Sequence, residues 1–341
     1  MESIYSKTID DLEEFFVEMG EKKFKATQVF EWLYIKKISN FKDMTNIKKS
    51  VIEKLEENFS IGLLEIEKVE RSTDTNKYLF KLNDGQRVEA VLMRHDYGNS
   101  ICISSQVGCN MGCKFCESGI RKKVRDLTTG EMIMQVLIVE NDIQERINTI
   151  VVMGIGEPFD NYQNIVKFIN IANHPKGLGI GSRHITVSTC GLVPKIREFS
   201  KLPYQVNLAI SLHASNDNLR SKLMPINKVY PINEVIDEVK KYINKTNRRV
   251  MFEYIMLKDV NDKEENAKEL SQLLKGINCV VNLIPYNETS HLEFKRSKKD
   301  TIMKFYDIMK KNNINVTIRR EFGKEISAAC GQLRSSKEEE V

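Results

Sequence analysis

No stretch of this chain is apolar for the roughly 18–20 residues that a membrane-spanning helix needs. None of its 341 residues falls in an internal repeat or a low-complexity tract. The opening residues, Met1-Glu2-Ser3-Ile4-Tyr5, lack a basic region followed by an apolar stretch, so no secretory signal is expected and the cytoplasm is the expected compartment. Strong charge of one sign is missing too. The formal net charge is +5, and the first seventy residues hold 11 Lys against 15 Asp plus Glu, which leaves the positive excess to the remainder. Composition thus allows a polyanionic partner without demanding one. Paired cysteines are also absent: seven stand at 102, 109, 113, 116, 190, 279 and 330, an odd number in a chain far too long for a secreted disulfide scaffold. With 41% hydrophobic and 29% charged residues the chain is not disordered, and its length suits about two domains or one large α/β domain with an appendage.

What is present changes character along the chain. Leu12, Phe15, Phe16 and Met19 recur at helical spacing between Thr8, a candidate cap, and Gly20, a candidate stop. Further helices are expected over 26–37 and 47–59, so residues 1–75 read as a helical accessory domain. Residues 76–98 read as a β-hairpin link, because the apolar runs 78–80 and 88–92 flank Asn83-Asp84-Gly85. From residue 99 to 320 short β-rich runs alternate with helical periodicity. Strands are expected at 101–105, 149–153, 184–188, 206–212, 250–256, 280–284 and 314–318, and helices at 129–139, 232–243 and 267–274. Such alternation implies parallel strands with crossover helices. That many units exceed a small Rossmann half and suit a barrel or partial barrel, with chemistry at the carboxyl ends of its strands. Residues 321–341 form a closing segment, and the polar tail from Ser335 to Val341 is expected to be disordered.

The cysteines concentrate the chemistry. Cys109, Cys113 and Cys116 are spaced C-x3-C-x2-C directly after an expected strand. Three thiolates so close together suit one soft metal centre. A structural zinc closes with four ligands, whereas a 4Fe–4S cluster held by three cysteines keeps one iron open. The open cluster is the preferred reading. Zinc completed by Cys102 or His213, and plain buried cysteines, are the alternatives. Met153-Gly154-Ile155-Gly156-Glu157-Pro158 follows the second strand; taken alone, it is more often a tight turn than a ligand loop, and it is not the dinucleotide G-x-G-x-x-G pattern. Cys330, in Ala328-Ala329-Cys330-Gly331-Gln332-Leu333, reads by itself as a small buried cysteine. Glu89 reads by itself as a solvent-facing hairpin carboxylate.

The C-x3-C-x2-C spacing with Phe115 before the last cysteine resembles the signature of radical S-adenosylmethionine enzymes, which use a partial (β/α)6 barrel. Ser104-Ser105-Gln106-Val107-Gly108-Cys109, Gly154-Ile155-Gly156-Glu157-Pro158 and Ala329-Cys330-Gly331-Gln332-Leu333 sharpen this to a resemblance to the RlmN/Cfr family of RNA methyltransferases, closest to its RlmN branch. The similarity extends over nearly the whole chain, through Phe24–Val29, Trp32–Tyr34, Arg87–Glu89, Met224–Asn227 and Asn282–Pro285. The chain departs from the family pattern at Glu117–Gly119, Glu288 and Ser327, and at no cysteine.

The resemblance implies methylation of carbon 2 of an adenosine in 23S rRNA, and in many members of tRNA. It implies a 4Fe–4S cluster on Cys109, Cys113 and Cys116 and two S-adenosylmethionines per turnover. Gly156, Glu157, Ser188, Ser211, Leu212, His213 and Asn287 match S-adenosylmethionine contacts of the family. Cys330 matches its methyl-carrying thiolate, Cys102 its resolving cysteine and Glu89 its proton acceptor. The implied scheme passes through S-methylcysteine and ends in a transient Cys102–Cys330 disulfide. A one-electron donor such as flavodoxin or ferredoxin would be a partner, and a monomer is expected. A Cfr-type carbon-8 enzyme, a glycyl-radical activating enzyme and a zinc-held, non-catalytic RNA-binding module are the alternatives. Basic groups that could meet phosphate are Arg121-Lys122-Lys123 with Arg125, Lys295-Arg296 with Lys298-Lys299, Arg319-Arg320, Lys22-Lys23 with Lys25, Lys36-Lys37 and Lys48-Lys49. Trp32 and Tyr34 could stack on a base, although their helical spacing favours the core.

Overall fold

The computed structural model describes residues 1–62, 64–120, 122–320, 322, 323, 326 and 331–333. Cys330, Ser327 and the tail from Ser335 to Val341 lie outside the described residues, so the readings made for them are not taken further from the structure.

The first helix, α1 (Ile9–Glu18), starts where the sequence says it should. Thr8 Oγ1 accepts from Asp11 N at 3.1 Å while Asp11 Oδ2 accepts from Thr8 N at 2.9 Å, a reciprocal cap that satisfies two otherwise orphaned donors. Gly20, at φ +75°, ends the turn that follows. The second helix is shorter than expected. Regular α2 (Phe24–Phe30) gives way to a wider turn over Glu31–Ile35 and stops at Lys37, whose φ is +52°. Helix α3 (Lys49–Asn58) falls within its expected range. Leu12, Phe16, Val29, Phe30, Leu33 and Leu55 of this region are wholly buried.

The strands of the main sheet are β1 (Glu65–Arg71), β2 (Thr75–Lys81), β3 (Arg87–His95), β4 (Gly98–Ile103), β5 (Ile147–Val152), β6 (Ile185–Thr189), β7 (Asn207–Ser211), β8 (Val250–Met256), β9 (Cys279–Pro285) and β10 (Val316–Ile318), and two short two-stranded ladders lie apart from it. The ten strands of the main sheet stand in sequence order. Pairing is antiparallel from β1 to β4 and parallel from β4 to β10. All seven strands expected beyond residue 99 are present, and helices α4 (Thr129–Ile143), α5 (Tyr162–Asn173), α6 (Val193–Phe199), α7 (Asp217–Leu223), α8 (Ile232–Thr246), α9 (Glu264–Leu273) and α10 (Lys299–Lys311) fill the crossovers. Among the described strands β1 and β10 are the two edges and do not pair with each other, so the barrel is open.

Two features depart from the sequence reading. The hairpin is present, but β3 pairs with β4, so it continues the main sheet. Strand β1 was not expected: Glu-Ile-Glu-Lys-Val-Glu-Arg is mostly charged, and as an edge strand it buries no side chain fully.

Candidate active site at the carboxyl ends of the parallel strands

The loop after β4 carries Cys109, Cys113 and Cys116, all half-buried. Backbone bonds fold it tightly: Cys116 N donates to Cys113 O at 3.3 Å, Gly119 N to Cys116 O at 3.0 Å, and Lys114 N to Leu223 O at 2.9 Å. The three cysteines line one cleft of about 900 Å³ together with Gly156, Glu157, Ser188, Ser211 and His213. The structure thus gathers eight sequence-selected residues from four strand ends. A second cleft of about 680 Å³ adjoins it and is lined by Cys102, Val91, Met93 and Asn287. Cys116, Ser118, Met153, Gly154, Ile284, Arg319 and Gly331 belong to both walls.

Burial pushes the Cys109 thiol up to about 12 and raises Cys113 and Cys116 as well. In the protein alone these groups are neutral thiols and poor nucleophiles. A cation that displaces their protons changes this, and thiolate is the donor that soft metal centres select. Among the described residues no three His, Cys, Asp or Glu side chains converge as they would on a single ion. Three soft thiol donors on one loop fit an iron–sulfur group.

The remaining walls are oriented by backbone. Gly156 has φ +108°, and a Cβ there would sit 2.6 Å from Gln106 Cβ, so only glycine fits. That turn aims Glu157: its Oε1 accepts from Phe159 N at 3.0 Å and its Oε2 from Cys190 N at 2.8 Å. Burial raises its pKa, and these bonds oppose the rise. His213 sits at φ +56°, buried, with its ring edge-on to Phe115 at 4.8 Å. Its Nδ1 accepts from Ile255 N at 3.1 Å, so the proton of the neutral ring resides on Nε2. Burial, aided by the charge of Arg220, lowers its pKa to about 3, which keeps it neutral. Ser188 Oγ and Ser211 Oγ stand 3.5 Å apart on adjacent strands. Leu212 is different: its side chain is wholly buried in the main core, and it is not a wall of either cleft.

Glu89 overturns the reading of a solvent-facing carboxylate. It is only 5% exposed, lies 3.8 Å from Lys77 Nζ, and shares a face of β3 with Val91 and Met93, which line the second cleft. Its carbonyl accepts from Ser104 Oγ at 2.6 Å. Cys102, on β4 opposite Val91, packs with Met93, Ile155, Phe322 and Leu333. Gly331 O accepts from Glu117 N at 2.9 Å and Leu333 O from Ser118 Oγ at 2.7 Å, so the segment just after position 330 is bound to the cysteine loop.

Sequence reasoning missed three groups at this rim: Glu117, Arg220 and Glu253, all buried. Glu253 interrupts the run Val-Met-Phe-Glu-Tyr-Ile-Met, and a charge inside a buried parallel strand was the available signal. Arg220 is fully buried and donates to Asn227 Oδ1 at 2.8 Å and to Cys190 O. The basic groups divide. Lys25 is buried, Lys37 pairs with Glu140, Lys123 with Asp126 and Asp160, and Arg125 with Asp84 and Glu131. Lys122, Lys298 and Lys299 are exposed, and Arg121 lies outside the described residues. Trp32 and Tyr34 are buried, in keeping with the core reading, and Trp32 Nε1 donates to Asn46 at 2.6 Å.

An open α/β barrel that gathers three thiols, a glycine-aimed carboxylate and paired serines at its strand ends defines the class of radical S-adenosylmethionine enzymes. Comparison with known proteins agrees. Residues 103–270 match the radical SAM superfamily, and residues 4–61 match the ribosomal RNA large subunit methyltransferase N-terminal domain. The chain is similar to a radical SAM methyltransferase of known structure from Sphaerobacter thermophilus, with 40% identity and a TM-score of 0.93 over 98% of this chain and all of that one. It is 54% identical to proteins of Enterococcus faecalis and Acholeplasma laidlawii, each named "Probable dual-specificity RNA methyltransferase RlmN". Those matches cover 98% and 97% of this chain and 96% and 98% of the relatives. The chain belongs to the RlmN family and is a radical S-adenosylmethionine RNA methyltransferase. Membership implies a 4Fe–4S cluster, S-adenosylmethionine and an RNA substrate. Among the described residues no helix is long and apolar enough to cross a membrane.

Proposed function

We propose that the enzyme methylates carbon 2 of an adenosine in 23S rRNA and also in tRNA, the two substrates that the family resemblance implies. Cys109, Cys113 and Cys116 would hold the cluster. When bound there with S-adenosylmethionine, the cluster supplies one-electron cleavage of the sulfonium and a radical able to abstract hydrogen. Glu157, fixed by two backbone N–H groups, presents a carboxylate to the ammonium of S-adenosylmethionine. Gly156 lets the chain approach closely, Ser188 and Ser211 offer hydroxyls, and His213 Nε2 offers a donor. Leu212 would contribute through its backbone, and Asn287 from the adjoining wall.

Carbon 2 of adenine is an electron-poor sp2 carbon, so direct polar methyl transfer does not reach it. Cys330 would therefore take a methyl from one S-adenosylmethionine, and a second would be consumed in activating that S-methyl group. Cys102 would release the methylated base by closing a disulfide with Cys330, and Glu89 would accept the proton lost from carbon 2. The single observation that carries this reading is the wall common to the two clefts. Gly331, next in sequence to Cys330, lines both the thiol cleft and the cleft of Cys102. We further propose a monomeric, cytoplasmic enzyme reduced by flavodoxin or ferredoxin.

The test is anaerobic reconstitution with iron and sulfide, followed by reductant, S-adenosylmethionine and unmodified ribosomal RNA. Mass spectrometry of the digested RNA is expected to find 2-methyladenosine. Finding 8-methyladenosine would move the enzyme to the Cfr type. S-adenosylmethionine cleavage without any methyladenosine would remove this substrate.

A further inference from the structure

One carboxylate in the larger cleft has no task in the scheme above. Glu253 lies at mid-strand in β8 and is 3% exposed. The register sets Ser211, Glu253, Asn282 and Thr317 side by side on four parallel strands. Hydrogen bonds run along this row. Thr317 Oγ1 donates to Asn282 Oδ1 at 3.2 Å, and Asn282 Nδ2 donates to Glu253 Oε2 at 3.0 Å. The Arg319 guanidinium stands 4.0 Å from the same oxygen. The other oxygen, Oε1, is buried and has no hydrogen-bond partner. A carboxylate held by a relay on one oxygen and left bare on the other is an unusual arrangement, because buried acceptors are normally satisfied.

Oε1 is acceptor-only when ionised, so its missing partner must be a donor. S-adenosylmethionine carries three kinds: an ammonium, the adenine amine and two ribose hydroxyls. The ammonium has a candidate acceptor in Glu157. Beside Glu253 lie the serine hydroxyls of β6 and β7, which make this wall a row of hydroxyl and amide groups suited to a sugar. Acidic side chains at strand ends hold ribose hydroxyls in dinucleotide-binding folds for the same reason.

We propose that Glu253 accepts the ribose hydroxyls of S-adenosylmethionine, with Asn282 and Thr317 positioning its carboxylate. The proposal rests on the reading of the larger cleft as the S-adenosylmethionine site. The other possible source of a ribose is the target adenosine of the RNA.

The experiment compares dissociation constants of the cluster-loaded protein for S-adenosylmethionine and its 2′,3′-dideoxy analogue, by anaerobic equilibrium dialysis. Wild type is expected to bind the analogue more weakly by about tenfold or more, the range of a hydrogen bond to a charged group. Glu253→Gln is expected to weaken S-adenosylmethionine by a similar factor and the analogue by less than about twofold, with iron content unchanged. Equal weakening of both ligands would make Glu253 a structural residue and overturn the proposal. So would an unchanged affinity for S-adenosylmethionine, even with slower RNA methylation, which would transfer the carboxylate to the target adenosine. The wild-type arm needs no variant to fold, and equal affinity for both ligands there also overturns it. Wild type that binds neither ligand would overturn the reading of the cleft itself.

Discussion

The helical region of residues 1–62 and the rim of the barrel are built on opposite terms. In the first, the buried polar residues are Ser6, Thr8 and Lys25, and the interior is Leu12, Phe16, Val29, Phe30, Leu33 and Leu55. At the rim Glu89, Glu117, Glu157, Glu253, His213 and Arg220 are all buried. Apolar burial stabilises the first at about 25 cal/mol per Å². Desolvated charges cost the second free energy that their partners only partly return. The contrast teaches where stability is made and where it is given up: the sheet and helices carry the fold, and the strand ends hold groups that are useful because they are not fully satisfied.

The sharpest way to break that contrast is Cys113→Ala. Iron uptake on reconstitution is expected to collapse and RNA methylation to fall by at least about 100-fold, more than the loss of an outer-shell partner. The far-ultraviolet circular dichroism of the metal-free protein should not change. Iron content equal to wild type would separate this thiol from the cluster.

Leu55→Ala should do the reverse. It removes wholly buried atoms from the helical region and is expected to cost about 2–5 kcal/mol in urea unfolding. Affinity for S-adenosylmethionine should be unchanged below the transition. A binding loss at full folding would mean that the two regions are coupled.

Gly156→Ala belongs to both sides. A left-handed φ and the 2.6 Å approach to Gln106 should cost about 1–3 kcal/mol of stability. Because the same turn aims Glu157, weaker S-adenosylmethionine binding should accompany that loss. Unaltered binding would detach the turn from the site.

The smallest effect is in pH. His213 has a native pKa of about 3 against 6.5 when unfolded, so the unfolded chain binds its proton first. Its contribution to stability is full above pH 6.5 and is lost as pH falls towards 3. Between pH 6.5 and 5.5 this amounts to about 1 kcal/mol. Glu157 and Glu253, with raised pKa values, act in the opposite sense over acid pH. The comparison is therefore with metal-free His213→Gln, whose stability should fall less over that interval. An equal fall in both proteins would place the sensitivity elsewhere.

Much of this was legible in the residues. Alternating apolar runs revealed the parallel strands, because buried strands need β-branched and aromatic side chains at fixed intervals. Thr8 announced the start of the first helix, which its side chain caps. The cysteine spacing and the Gly156-Glu157 turn revealed residues that the structure brings to one cleft. Strand β1 was hidden because an edge strand needs little apolar pattern. Glu89 was misread because exposure depends on which face of β3 meets the barrel, and that is set by its pairing with β4. Glu253 and Arg220 were missed because their neighbours come from distant strands: the bonds of Glu253 to Asn282 and of Arg220 to Cys190 have no sequence periodicity.

The most direct test of the central proposal, a methyl carried by Cys330, is made before any RNA is added. The reconstituted protein is incubated with S-adenosylmethionine, reductant and the electron donor, then digested, and every cysteine-containing peptide is weighed. The account predicts a methyl group on Cys330 and on none of Cys102, Cys109, Cys113, Cys116, Cys190 or Cys279. Methylated RNA produced by protein whose Cys330 never carries that group would contradict it.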